Sequence, residues 1–155
     1  MLNIIRQVFK ETPKLPLISE YLFIILPFIV WIVSKFATGK LVFGELIYIK
    51  DWSFAAAILS GQTLIKLTGG FSVAGKTVIS IDKIILITTL LIVFILLPAV
   101  IILAYVAGAS EPVMHRNLAG SQIALFLGAT IAYYILGGWG MYLQKKYAET
   151  STLAA

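Results

Sequence analysis

The chain has 155 residues, of which 60% are hydrophobic and only 12% charged, with a mean hydropathy of +0.99. A soluble domain carries about 25% charged residues, so the composition excludes a soluble globular protein and identifies an integral membrane protein. The sequence contains no cysteine, which excludes disulfides, thiolate catalysis and zinc–thiolate sites. The net charge of +5 sits on residues that flank apolar runs, the pattern of membrane topology rather than of nucleic-acid binding.

Residues 1–16 are basic. Ile4, Ile5, Val8 and Phe9 fall at helical spacing, with Arg6, Lys10 and Glu11 elsewhere. This reads as a short amphipathic segment at the membrane surface, ended by Pro13 and Pro16, and not as a signal peptide. A first span is expected over 17–37, with Pro27 inside it and Lys35 near enough to its end to snorkel. Glu20 is expected in the first turn, where a carboxylate suits the helix dipole.

Residues 38–51 hold two β-prone runs around Gly44 and Glu45, consistent with a small extracytoplasmic hairpin or an interfacial loop. The second span, 52–70, can be capped by Asp51 or Ser53. Ser53, Ala57 and Gly61 recur every fourth residue and form a small-residue face. This span is also the most polar, with Ser60, Gln62, Thr63 and Lys66 in its second half. An ionisable group inside a span is expensive and marks function by default. Lys66 is only about four residues, or roughly 6 Å, from the span's end. Its amine can therefore snorkel, reach a neighbouring helix, or line a pore with Ser60, Gln62 and Thr63.

A second loop, 71–82, allows a hairpin turning at Ala74 to Lys76. Gly75-Lys76-Thr77 resembles the end of a phosphate-binding loop, but the earlier glycine that motif requires is missing. The third span, 83–106, is almost pure Ile, Leu and Val, with Pro98 in its last third and Asp82 at its start. A helix apolar all round is the candidate for lipid exposure. In the loop 107–117, His115 is the only histidine, so no two-histidine metal site exists; Glu111 and His115 are close enough in sequence to pair.

The fourth span, 118–143, contains no charge. Gly120, Ala124, Gly128 and Ala132 recur every fourth residue, so on a helix they share one face. Such a face lets another helix approach backbone to backbone, within the chain or between copies. The tail, 144–155, is expected to be disordered, with Trp139, Tyr142 and Tyr147 in the aromatic belt.

Four spans put both termini on one side. That side holds eight Lys and Arg residues (Arg6, Lys10, Lys14, Lys66, Lys76, Lys83, Lys145, Lys146) and the other four (Lys35, Lys40, Lys50, Arg116). The positive-inside rule then places both termini in the cytoplasm of a bacterial inner membrane. No catalytic constellation, metal set, cofactor motif or small-molecule ligand signature is legible. Two classes remain: a non-enzymatic homo-oligomeric membrane subunit serving a cytoplasmic protein partner, with no direct contact to nucleic acid, or an oligomeric ion channel or holin-like pore lined by the second span.

The four-span layout and the stretch Asp-Trp-Ser-Phe-Ala-Ala-Ala-Ile-Leu-Ser-Gly-Gln-Thr-Leu-Ile-Lys ending at Lys66 are similar to the membrane subunit of Kiwa-type bacterial anti-phage systems. The resemblance implies a homo-oligomer that signals phage attack and works with a cytoplasmic DNA-binding partner. It carries over no individual functional residue. The expected fold is an all-α, four-helix membrane bundle.

Overall fold

A computed structural model describes residues 14–39, 51–74, 80–108 and 116–152. Among these the chain is all helix, with no strand. The hairpin expected over 38–51 and the amphipathic segment 1–16 fall largely outside the described residues, as do Glu111 and His115.

Helix α1 is Lys14–Ala37. It begins earlier than expected: Pro16 lies inside its first turn, where a missing amide is tolerated because that amide would have no helical partner. Glu20 is consequently beyond the first turn and not a partner of the helix dipole. The helix continues through Pro27 and ends at Gly39, whose φ of +65° only glycine adopts without strain. There the Thr38 and Gly39 amides donate to the carbonyls of Ser34 and Phe36, at 3.1 and 3.0 Å.

Helix α2, Trp52–Ala74, extends a turn past the expected end, so Val73 and Ala74 are helical and not part of a hairpin. Its start is marked by the Ala55 amide donating to the Asp51 carbonyl at 2.9 Å.

Helix α3 is a continuous rod, Ile81–Gly108, with a wide π-type turn at Ile92–Leu96. Ser80, not Asp82, occupies the cap position, and Asp82 sits in the first turn. The wide turn has a cause in the sequence. Pro98 offers no amide, and its ring crowds the carbonyl of Phe94 four residues back, so the preceding turn opens.

Helix α4 comprises Arg116–Ala132, a second wide turn at Tyr133–Gly137, and Gly138–Thr152. Residues 144–152 therefore continue the helix instead of forming a disordered tail.

Three stretches are long and apolar enough to cross a membrane: Leu15–Ala37, Ile81–Gly108 and Leu118–Tyr147. Helix α2 has comparable length but lower apolarity, because Ser60, Gln62, Thr63, Lys66 and Thr68 interrupt it. It is nevertheless the helix around which the others pack. Helix α3 lies against α2 and α4, and α1 lies against α2 with side-chain contacts to α4; among the described residues α1 and α3 make no substantial contact with each other.

Register follows from pairs of touching residues. Trp52 meets Phe126, Thr63 meets Gly137 and Lys66 meets Gly140, so α2 and α4 run parallel. Tyr21 meets Tyr133, and Phe28 meets Phe126, so α1 runs antiparallel to α4. One apolar core gathers Phe28, Ala56, Leu59, Phe126 and Ala129, and a second gathers Leu67, Phe71 and Leu143.

Candidate functional site

Three polar side chains from three helices converge within the packing. Lys66 Nζ of α2 lies 2.6 Å from Glu20 Oε2 of α1. The Tyr133 hydroxyl of α4 donates to the same carboxylate oxygen at 3.1 Å and lies 3.3 Å from the Leu17 carbonyl. The ammonium also stands 5.8 Å from the centre of the Tyr133 ring, within cation–π range. Tyr133 is fully buried and Lys66 is 8% exposed, whereas 41% of the Glu20 side chain remains open.

The cluster lies away from the nearer helix ends. Glu20 is five residues beyond Leu15, roughly 7.5 Å along the axis, and Lys66 is eight residues before Ala74, roughly 12 Å. The lysine does not snorkel to the near end of its helix. Its carbonyl sits at Gly140, its Cδ at Gly137, and its ammonium at Tyr133. These positions step towards the N-terminus of α4, and hence also of α2, which is away from the near end. The direction is set by helix geometry. Every Cα–Cβ bond tilts towards the helix N-terminus, so a lysine near the C-terminal end of a span points inwards. An isolated charge at that depth is very costly, and Glu20 neutralises it.

Glycines make this approach possible. A Cβ on Gly140 would overlap the Lys66 carbonyl, and one on Gly70 would overlap the Gly140 carbonyl. Here α2 and α4 touch backbone to backbone. Gln144 Nε2 donates to the Lys66 carbonyl at 3.4 Å, one turn further along. The wide turn Tyr133–Gly137 begins at the tyrosine of the cluster, and such turns concentrate at functional sites. Aromatic rings brace the α1 side. Tyr21 lies 6.3 Å from Tyr133 and 5.2 Å from Tyr134, and Phe28 stacks on Trp52 at 4.6 Å.

The residues singled out from sequence divide. Ser60 and Thr63 are fully buried, but their hydroxyls donate to the Ala56 and Leu59 carbonyls of their own helix, at 2.8 and 2.7 Å. Gln62 is half-buried. Lys66 makes the inter-helix contact.

Of the α4 stripe, Gly120 and Ala124 are exposed, Gly128 is half-buried with Ile95 of α3 beside it, and Ala132 is buried. The face of α4 that packs within the chain instead carries Ala119, Gln122, Phe126, Ala129, Tyr133, Gly137 and Gly140. In α2, Ser53 is buried, Ala57 and Gly61 are half-buried, and a Cβ on Gly61 would meet nothing within 4 Å.

Glu20, Tyr133 and Gly140 were not legible as partners of Lys66, nor Gly70 as the partner of Gly140. Comparison of the chain with family models, curated protein sequences and solved structures returns no match.

Proposed function

We propose that the chain is a four-span subunit of a bacterial inner membrane, with both termini cytoplasmic. In this reading it assembles with copies of itself and serves a cytoplasmic protein partner without itself acting as an enzyme. The observation that carries the reading is the inward use of polarity. The hydroxyls of Ser60 and Thr63 are taken up by their own helix, and the charge of Lys66 by Glu20. Among the described residues, the outward faces of α1 and α3 are mostly apolar, and the small residues Gly120 and Ala124 are open. An open small-residue surface supports helix contact between copies.

The same observation weighs against a pore lined by α2. The residues that would line it face other helices of the same chain, and a lysine neutralised by a carboxylate gives no anion-selective ring. The similarity to Kiwa-type membrane subunits adds the expectation that the companion binds DNA and that the stimulus is phage attack.

The test is affinity purification of the tagged protein in mild detergent, with the mass of the intact complex and the identity of co-purifying chains. A homo-oligomer carrying a soluble companion supports the reading. A homo-oligomer without one shifts weight to the pore, decided by bilayer conductance of wild type against Lys66→Ala. Gly120→Leu with Ala124→Leu should lower the oligomer mass if that surface joins copies. Gly128→Leu is a poorer probe, because its side chain would press on Ile95 within the chain.

A further inference from the structure

The seam between α3 and α4 ends in a pair of lysines above an apolar track. Leu143 of α4 is buried with Leu67, Phe71 and Ala74 of α2, and Ile84 of α3 packs against that cluster, as do Trp139, Tyr142 and Tyr147. Lys83 immediately precedes Ile84. Lys146 follows Leu143 by three residues, on the same face of α4. Both lysines are exposed. The Lys146 ammonium stands 5.6 Å from the centre of the Tyr142 ring and 5.8 Å from that of Tyr147, within cation–π range, and this keeps it at the end of the seam.

Beyond Lys83, Leu86, Leu90 and Val93 follow at helical spacing, and all three are exposed. With Lys83 they share one outward face of α3. The distance from Lys83 to Val93 is about 15 Å, the depth of one leaflet in a bilayer whose hydrocarbon is about 30 Å thick. Lys14 and Lys145 lie at the same end of the molecule. Among the described residues Asp82 and Glu149 are the acidic groups there, so lysines outnumber carboxylates and that end is positive.

We infer that this seam binds an anionic phospholipid, its phosphate between Lys83 and Lys146 and one acyl chain along Leu86, Leu90 and Val93. Lysines at the bilayer surface attract anionic headgroups. The half-buried rings of Tyr142 and Tyr147 suit the headgroup level, where amphipathic rings collect. A lipid fits better than a soluble anion because the apolar track starts at the charged pair and lies on a helix long and apolar enough to cross a membrane. The inference concerns α3 and α4 of one chain and does not depend on the assembly proposed above.

The test is native mass spectrometry of the full chain released from micelles that hold equal amounts of dioleoyl phosphatidylglycerol and dioleoyl phosphatidylcholine. Each lysine near the surface gives about a fivefold preference for anionic lipid, so bound phosphatidylglycerol should exceed phosphatidylcholine about 25-fold. Lys83→Gln and Lys146→Gln should each lower that ratio about fivefold. Lys83→Arg should keep it, and so should Lys35→Gln at the other end of the molecule. Glycerol phosphate, the headgroup without its chains, should not displace the lipid. Equal binding of the two lipids overturns the inference, as does a ratio that neither Lys83→Gln nor Lys146→Gln moves. A ratio that Lys35→Gln lowers as much shows a response to net charge and no site. Displacement by glycerol phosphate makes the ligand a soluble anion and also overturns it.

Discussion

Helices α2 and α3 invert the rule that apolar means buried. In α3, the most apolar stretch, Leu91, Ala99 and Val106 are the buried residues, while Ile85, Phe94 and Ile101 are open. In α2, whose apolar run is broken by polar residues, 11 of 23 residues are buried, among them Ser53, Ser60, Thr63 and Lys66. The difference follows from the solvent. Lipid tails are as apolar as leucine, so aliphatic side chains gain little by leaving them, and packing is decided by small residues and by polar groups that need partners. In α2 those features coincide. The glycines admit α4, and the lysine requires a carboxylate.

The comparison can be broken from the polar side. Lys66→Met leaves the cavity largely filled but strands Glu20. Removing one member of a buried pair costs about 3–5 kcal/mol, discounted here because Glu20 is partly open. The variant should show a large fall in melting temperature in detergent. Gly140→Ala tests the close approach. Its methyl would overlap the Lys66 carbonyl, backbone that cannot yield by changing rotamer, and overpacking of this kind costs about 1–3 kcal/mol. Tyr133→Phe removes one donor from Glu20 and should cost about 1 kcal/mol, with the aromatic contacts to Tyr21 and Tyr134 kept. On the α3 side, Phe94→Leu and Ile101→Val should stay within about 0.5 kcal/mol of wild type, since both side chains are open. Equal losses in α2 and α3 would abolish the distinction.

The sequence made the helices legible and the partners only partly so. Long apolar runs with few charges locate α1, α3 and α4, and the polar interruptions of α2 drew attention to Lys66. The ends were read short because the limits were set by composition. Capping by Gly39 and continuation of α4 past Gln144 depend on backbone hydrogen bonding, which composition does not report.

The every-fourth pattern of Gly120, Ala124, Gly128 and Ala132 suggested one continuous face, yet the structure leaves its first half open and closes its second. The glycines that touch α2, Gly137 and Gly140, follow a three-residue spacing at the end of the wide turn and just after it, outside that pattern. The direction of Lys66 was recoverable in principle. Near the C-terminal end of a span, the Cα–Cβ tilt sends a side chain inwards, whereas distance to the nearest interface considers only length. Glu20 was harder to find. Its pairing depends on the antiparallel register of α1 on α4, which aromatic contacts set.

The central claim is that Glu20 and Lys66 are a coupled pair holding α1 on α2 and α4. A double-mutant cycle of detergent melting temperatures over wild type, Glu20→Gln, Lys66→Met and the double variant tests it most directly. The account predicts that each single variant melts well below wild type and that the double variant recovers most of the loss, because neither charge is left alone. Single variants that melt as wild type does, or a double variant whose loss equals the sum of the two, would contradict it.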